Sequence, residues 1–380
     1  MRKVPELRFA GFEGEWEECR LCNLVKINSG RDYKHLGEGI YPVYGTGGLM
    51  THVNEFLSDV DSIGIGRKGT INKPQKLEAP FWTVDTLFYS APIKGNNLDY
   101  IYSVFQRINW LKYDESSGLP SLSKTNINNI RIYTAGIQEQ EKIGDLFKKI
   151  DDLIEIQEGK VAKMRDYKKS MLQKMFPKKD ELVPEFRFDG FDSNWFVSRL
   201  GEVTSLRGGY AFKSQNYTEN GIPILRISNI NSNGTTNEDY VYYAEILNDD
   251  SISLDNGAIV LAMSGATTGK ISILKTQGKV YQNQRVGYFT KSDRIDYLYL
   301  SVILRSHLFT SQLDKILIAG AQPNISSKDV EDFSFKLPSL EEQQKIGQFF
   351  KNLDAQIENE EKLLESYKMM KKSLLQKMFV

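Results

Sequence analysis

The sequence predicts an α+β protein: two small mixed domains carried on two long helices that pair antiparallel. Three observations lead there. The chain states its framework twice, the repeated ends enclose unlike middles, and two long stretches carry sustained helical periodicity. Val4-Pro5-Glu6-Leu7-Arg8-Phe9 returns as Val183-Pro184-Glu185-Phe186-Arg187-Phe188. Gly11-Phe12, Trp16 and Arg20-Leu21 return as Gly190-Phe191, Trp195 and Arg199-Leu200. Glu139-Gln140, Lys142-Ile143-Gly144 and Gln173-Lys174-Met175-Phe176 return as Glu342-Gln343, Lys345-Ile346-Gly347 and Gln376-Lys377-Met378-Phe379. The first set is offset by 179 residues (Val4 to Val183) and the second by 203 (Glu139 to Glu342). One scaffold therefore presents two heads of different length and content.

Head one spans 1–136. Its β-rich runs, Ser62-Ile63-Gly64-Ile65 and Phe81-Trp82-Thr83-Val84, are broken by Gly, Asn and Pro, and a helix is expected near 98–111. The following segment, 137–182, is a long helix and a linker. Ile143, Leu146, Ile150, Leu153, Val161, Met164, Met171 and Met175 recur in three- and four-residue steps, interrupted by Gln157 and Lys168. Pro177 stops the pattern. Head two spans 183–338. Its runs are Ile222-Pro223-Ile224-Leu225-Arg226-Ile227, Ala258-Ile259-Val260-Leu261-Ala262 and Arg285-Val286-Gly287-Tyr288-Phe289, with a helix near 296–313. The last segment, 339–380, copies the long helix through Ile346, Phe349, Leu353, Ile357, Leu363 or Leu364, Tyr367, Met370, Leu374 and Met378, with polar Gln356 and Glu360 in its middle.

Each pattern lasts about five heptads, the length of a coiled coil rather than of a helix lying on its own domain. At ~1.5 Å per residue each helix is roughly 55 Å long. Head two follows helix one after a short linker, so it starts at the far end of that rod. Helix two must then run back, antiparallel, towards head one. A parallel pair would force head two to bridge more than the diameter of a compact domain. The expected layout is pseudo-two-fold and almost circular, with Met378-Phe379 ending near Val4-Pro5-Glu6.

Bulk properties narrow the class. The chain has 380 residues, ample for two cores. No apolar run approaches the ~20 residues of a membrane helix, and the N-terminus leads into no apolar stretch. Two cysteines suggest a reducing cytoplasm rather than a disulfide scaffold. The formal net charge is 0, so any nucleic acid is held by local cation clusters or shared with a more basic partner.

Matching loops leave the strands of the two heads. Gly66-Arg67-Lys68-Gly69-Thr70, with Asn72, Lys73, Ser123 and Lys124, forms the candidate edge of head one. Head two offers Arg226, Asn229, Ser264-Gly265-Ala266-Thr267-Thr268-Gly269-Lys270, Gln282-Asn283-Gln284-Arg285 and Asn324. Glycine lets backbone approach a ligand closely. Asn and Gln suit adenine edges, and Arg suits guanine edges or phosphate. Polar turns on a solvated surface are the plain alternative.

Several motifs are decoys. Gly64-Ile65-Gly66-Arg67-Lys68-Gly69 fits G-x-G-x-x-G, but Pro74 forbids the helix that a dinucleotide fold needs. Gly265 to Lys270 is one residue short of a phosphate loop, and Ile271 stands where Ser or Thr would hold magnesium. Cys19-Arg20-Leu21-Cys22 has no second cysteine pair, and His35, His52 and His307 are scattered, so no zinc set forms. Trp16 and Trp195 read as core anchors. No methyltransferase, helicase or nuclease signature is present.

The duplicated Val-Pro-Glu-[Leu/Phe]-Arg-Phe…Gly-Phe…Trp, Glu-Gln…Lys-Ile-Gly and Gln-Lys-Met-Phe pieces resemble the specificity subunit of type I restriction-modification systems, over the whole chain. At Leu21-Cys22-Asn23 the first copy departs from the Leu200-Gly201-Glu202 form of the second. The resemblance implies that each head is a target recognition domain reading one half of a split, asymmetric site in double-stranded DNA. It implies that the helices set the unread gap and dock two methyltransferase subunits acting at adenine N6, and that two restriction (translocase and nuclease) subunits could join. S-adenosylmethionine, ATP and Mg would belong to those partners, with no cofactor or metal in this chain and no catalysis by it. Ile143, Leu146, Ile150, Leu153, Met164, Met171, Ile346, Phe349, Leu353, Ile357, Tyr367 and Leu374 would form the coiled-coil and docking face. Two other readings stay open on the residues alone: a coiled-coil adaptor binding protein partners, supported by the neutral charge, and a free-standing enzyme on nucleic acid, supported only by the decoy glycine motifs.

Overall fold

In the computed structural model, which describes residues 3–178, 180–319 and 324–380, the chain divides into two compact units. One comprises Met1–Lys160 and Glu360–Val380, the other Val161–Asn359. Both mix helices and sheets, as the sequence predicts.

In the first unit a four-stranded antiparallel sheet runs Val25–Ser29, Leu87–Pro92, Ser62–Gly66, Gln75–Leu77. A three-stranded sheet runs Gly48–Val53, Tyr41–Gly45, Trp82–Thr83, its last pair parallel. In the second unit the four-stranded sheet is Leu206–Arg207, Val286–Phe289, Ile259–Ala262, Ile271–Ile273. Its companion contains Val241–Tyr243, Ile222–Leu225 and Val280–Gln282, again with a parallel pair, and adds Tyr217–Thr218 and Ser253–Leu254 at its edges. The heads thus share one topology, and head two carries edge strands that have no counterpart among the described residues of head one. The helices expected late in each head are Leu98–Arg107, and Tyr297–Ile303 with His307–Ala319.

The repeated residues build the same framework in each unit. A two-stranded ribbon pairs Glu17–Arg20 with Arg131–Thr134, and its copy pairs Phe196–Arg199 with Ser334–Leu337. Arg8 grips the buried Glu139 carboxylate with two hydrogen bonds of 2.7 and 2.8 Å, and Arg187 grips Glu342 at 2.8 and 2.8 Å. Gln140 accepts from the Asn97 backbone and donates to the Ala135 carbonyl, as Gln343 does with Asp296 and Pro338. Gly144 and Gly347 lie where the long helix meets the capped start of the late head helix. A Cβ at 347 would stand 2.7 Å from the Tyr299 nitrogen, so no larger residue fits. Trp16 packs edge-on to Phe379 and Trp195 edge-on to Phe176, both buried, as core anchors. Each such buried aromatic contributes roughly 1.5–3 kcal/mol.

The long helices are Ile137–Lys174 and Leu340–Lys377. In the first unit Asp151 pairs with Lys371, Glu158 with Lys368 and Lys160 with Glu360. Partner numbers fall as helix-one numbers rise, so these segments run antiparallel. In the second unit Lys168 pairs with Asp354. The end of helix two lies against the chain start, with the Leu7 N–H donating to the Lys377 carbonyl at 2.9 Å.

Burial corrects the assignment of the helical seam. Ile143, Phe147, Ile150, Gln157, Val161 and Met171 are buried on helix one, and Ile346, Phe350, Leu353 and Ile357 on helix two, with buried Met378 just past its end. Leu153 is 44 % exposed, because the seam passes through half-buried Ile154 one residue later. Leu146 and Phe349 are half-buried beside Phe147 and Phe350. Met370 is exposed because Lys371 holds that seam place. Met164, Tyr367 and Leu374 are half-buried. Gln157, Lys168 and Glu360 are seam positions themselves, continuing the three-four spacing with polar side chains rather than interrupting it.

Candidate nucleic-acid interface

In head one the strand Ser62–Gly66 delivers the loop that follows it. The Arg67 N–H donates to the Thr86 carbonyl (2.7 Å), and the Leu122 N–H returns to the Arg67 carbonyl (2.9 Å). Lys68 bridges to Ser121, and the Gly69 N–H donates to the Pro120 carbonyl (2.8 Å). Gly69 has φ +87°, a left-handed conformation that favours glycine. A Cβ on Gly66 would sit 2.0 Å from the Thr70 carbonyl oxygen. Ser123 caps the helix Lys124–Asn128, accepting from the Asn126 N–H, and its hydroxyl donates to Glu115.

These links gather Arg67, Lys68, Ser123 and Lys124 around one cleft of about 400 Å³, together with Ser29, Phe88, Glu115 and Ser121. The Arg67 guanidinium lies 5.9 Å from the centre of the Phe88 ring. Beneath, Asp114 accepts from the backbones of Ser121 and Ser116 and from the Ser116 hydroxyl, which holds its carboxyl below the usual range. The cleft thus joins three cations, hydroxyls and one carboxylate acceptor on a pinned loop. Asn72 and Lys73 are exposed, Thr70 is half-buried, and none of the three lines it.

Head two repeats the clamp with other side chains. Ser264 bridges to Asn324, and the Ile325 N–H donates to the Met263 carbonyl (2.9 Å). Gly265 takes φ +78°, as Gly69 does at the matching turn. Thr267 donates to the Ile227 carbonyl and Thr268 to that of Gly265. Lys270 is half-buried and leads straight into the strand Ile271–Ile273, so the phosphate-loop likeness ends without a helix.

Two expected contact residues are structural. Gln282 is fully buried; its amide donates to the carbonyls of Arg207 and Val286 and accepts from the Arg207 guanidinium. Asn229 is buried too, donating to Asn237 and the Asp239 carbonyl and accepting from the Arg226 N–H. Both spend their hydrogen bonds inside the head. Arg226 is partly exposed and donates to the Asp239 carbonyl. Gln284 and Arg285 are exposed, and half-buried Asn283 pairs with Tyr210 through an isolated bridge.

That bridge shows what sequence reasoning missed. Gly209 is jammed against the backbone of Gln282 and Asn283, and Gly30 equally against Thr83 and Val84. The next residue in each head, Tyr210 or Arg31, donates its N–H to the neighbouring strand and leaves its side chain exposed. The signal was the Gly208-Gly209-Tyr210 turn and, in head one, Gly30-Arg31. Ser29 and Glu115 had no readable signal, because only folding brings them to Arg67.

Among the described residues no cluster of three or more metal-ligating side chains occurs, and no helix is long and apolar enough to cross a membrane. Cys19 and Cys22 are free thiols, and burial pushes Cys19 up to about 11.

The family model for the type I restriction modification DNA specificity domain matches residues 13–164 and 192–368. The chain is 28% identical over 411 residues to the type I restriction enzyme MjaVIII specificity subunit of Methanocaldococcus jannaschii, covering 98% of this chain and 92% of that protein. It is 29% identical over 204 residues to the EcoAI specificity subunit of Escherichia coli, covering 50% of this chain and 31% of that one. Among solved structures, the S subunit of a type I system from M. genitalium superposes with a TM-score of 0.73 at 16% identity, over 99% of each chain. At that identity the likeness speaks for the fold.

Proposed function

The chain belongs to the type I restriction modification DNA specificity family, and from that premise we propose that its two heads read the two halves of one bipartite, asymmetric duplex site. It is a specificity subunit and not an enzyme. The heads would comprise 1–136 and 183–338, joined through 137–182 and 339–380. The paired helices would set the unread gap. Two methyltransferase subunits would dock on them and methylate adenine N6, and restriction subunits could join in the cytoplasm. S-adenosylmethionine, ATP and Mg would enter with those partners.

One observation carries this reading: two heads of shared topology present different side chains at matching loops. Exposed Lys68 stands where Ser264 stands and exposed Arg31 where Tyr210 stands, while exposed Arg67 answers to Met263, which is buried in the core of head two. A common fold with unlike edges is what two different half-sites require, because base identity is read by side chains in the groove. In head one, Arg67, Lys68 and Lys124 supply phosphate-binding charge that the neutral total conceals. The docking role draws support from an apolar stripe beside the seam. Leu153 and Ile156 on helix one, and Leu363 and Met370 on helix two, are exposed, which suits partner helices.

Exchange of residues 183–338 for the head of a relative tests it, with N6-methyladenine mapped in a genome expressing the assembled complex. One half-site should change while the other half and the gap persist. A change in both halves, or in neither, refutes modular reading.

A further inference from the structure

The two long helices are copies, so each could pair with its own counterpart from a second chain. Ile137–Lys174 matches Leu340–Lys377 at the 203-residue offset without insertion. The outer ionic contacts do not prevent like pairing. Asp151 binds Lys371, and Lys168 binds Asp354. Asp354 is the copy of Asp151, and Lys371 the copy of Lys168. Two first helices would therefore pair Asp151 with Lys168, and two second helices Asp354 with Lys371.

The contact at Gln157 and Glu360 does discriminate. These positions are also copies of one another, which puts them at the middle of an antiparallel pair. Gln157 Nε2 donates to the Glu360 carbonyl (3.0 Å) and to Oε2 (2.6 Å), and Lys160 Nζ donates to Oε1 (2.7 Å). Gln157 is 6 % exposed. Both donors hold the Glu360 carboxyl below its ordinary value, Lys160 foremost. Two second helices would bring Glu360 against Glu360, and Leu363, the copy of Lys160, would replace the ammonium. The carboxylates would then face each other with neither donor.

We propose that Gln157, Lys160 and Glu360 form a pairing-selectivity layer, which favours helix one against helix two and rejects pairing of two second helices from different chains. A discriminating polar layer within a coiled-coil seam is a known way to choose among partners. Under the function proposed above, on which only this consequence rests, the layer keeps two unlike heads on one molecule.

The full-length chain tests the layer without DNA. Wild type, Glu360→Gln and Leu363→Lys are unfolded in urea, refolded across a range of concentrations, and weighed by light scattering. Glu360→Gln removes the like-charge contact, and Leu363→Lys gives each Glu360 a donor from the other chain when second helices pair, beyond the i, i+3 pair within one chain that the monomer shares. Two-chain species formed by exchange of unlike helices keep the contacts of the monomer, so neither change favours them. Both variants should raise the two-chain fraction about fivefold or more over wild type at equal concentration. Leu363 is exposed, so its substitution leaves the fold intact. An unchanged fraction in either variant overturns the proposal, whatever becomes of the DNA reading.

Discussion

Replacing Arg187 with Met should unlock the second unit. Glu342 is 1 % exposed, and among the described residues its carboxylate takes both hydrogen bonds from Arg187, at 2.8 Å each. Trp195 Nε1 is buried and, among the described residues, makes no hydrogen bond. Arg187→Met therefore leaves a buried carboxylate with no donor, a change that costs about 3–5 kcal/mol. Glu139 in the other unit also accepts from Trp16 Nε1 at 3.2 Å, so Arg8→Met should cost about 1 kcal/mol less. Adding Glu342→Gln removes the charge and should leave a deficit of about 1–2 kcal/mol. Native-state hydrogen exchange, resolved by peptide, reads each unit separately. A loss under about 1 kcal/mol, or equal loss in both units, would refute the argument.

Three other outcomes follow from the same geometry. Gly347→Ala places a Cβ 2.7 Å from the Tyr299 nitrogen and 2.8 Å from Asp296 Oδ1, and should cost about 1–3 kcal/mol in a thermal melt. In the assembled complex, changing Arg67, Lys68 and Lys124 to Ala should lower the log–log salt slope of duplex binding by about 2–3, and weaken only the head-one half-site. Inserting seven residues into both long helices, after Glu158 and after Glu361, preserves heptad phase and adds about 10 Å. Methylation mapping should then show the gap longer by about three base pairs.

The framework was legible because its residues answer to one another at fixed offsets. Arg8 needs Glu139, Gly144 needs the Asn97 cap, and each pair recurs where the second copy needs the same bond. Helix existence was equally plain, but the seam was not. Counting only apolar residues placed Leu153 inside, because Gln157 and Lys168 looked like breaks. In the fold they occupy seam positions, since a long side chain can bury its stem and satisfy its head across the interface. The heads were legible as strands and loops, yet not as surfaces. Gln282 and Asn229 look like base readers in sequence and serve as internal struts, because a polar side chain facing its own sheet meets backbone groups that must be paired. Glu115 and Ser29 join Arg67 only through tertiary closure, which no local pattern encodes.

This division has a physical cause that bears on how the heads can differ. Each of these framework bonds joins the first turns of the long helix to the arginine ahead of the ribbon or to the cap of the late helix, and the copies match within a few tenths of an ångström. The loops that vary are anchored by backbone hydrogen bonds instead: Leu122 to Arg67 in one head, Ile325 to Met263 in the other. A main-chain anchor is indifferent to the side chain it carries. Exposed Arg67 can therefore stand where buried Met263 stands without loss of the clamp, and the edge can change its chemistry while the repeated framework that aims it stays the same. The strands added at the edges of head two obey the same logic, since they extend a sheet whose central pairs are already complete.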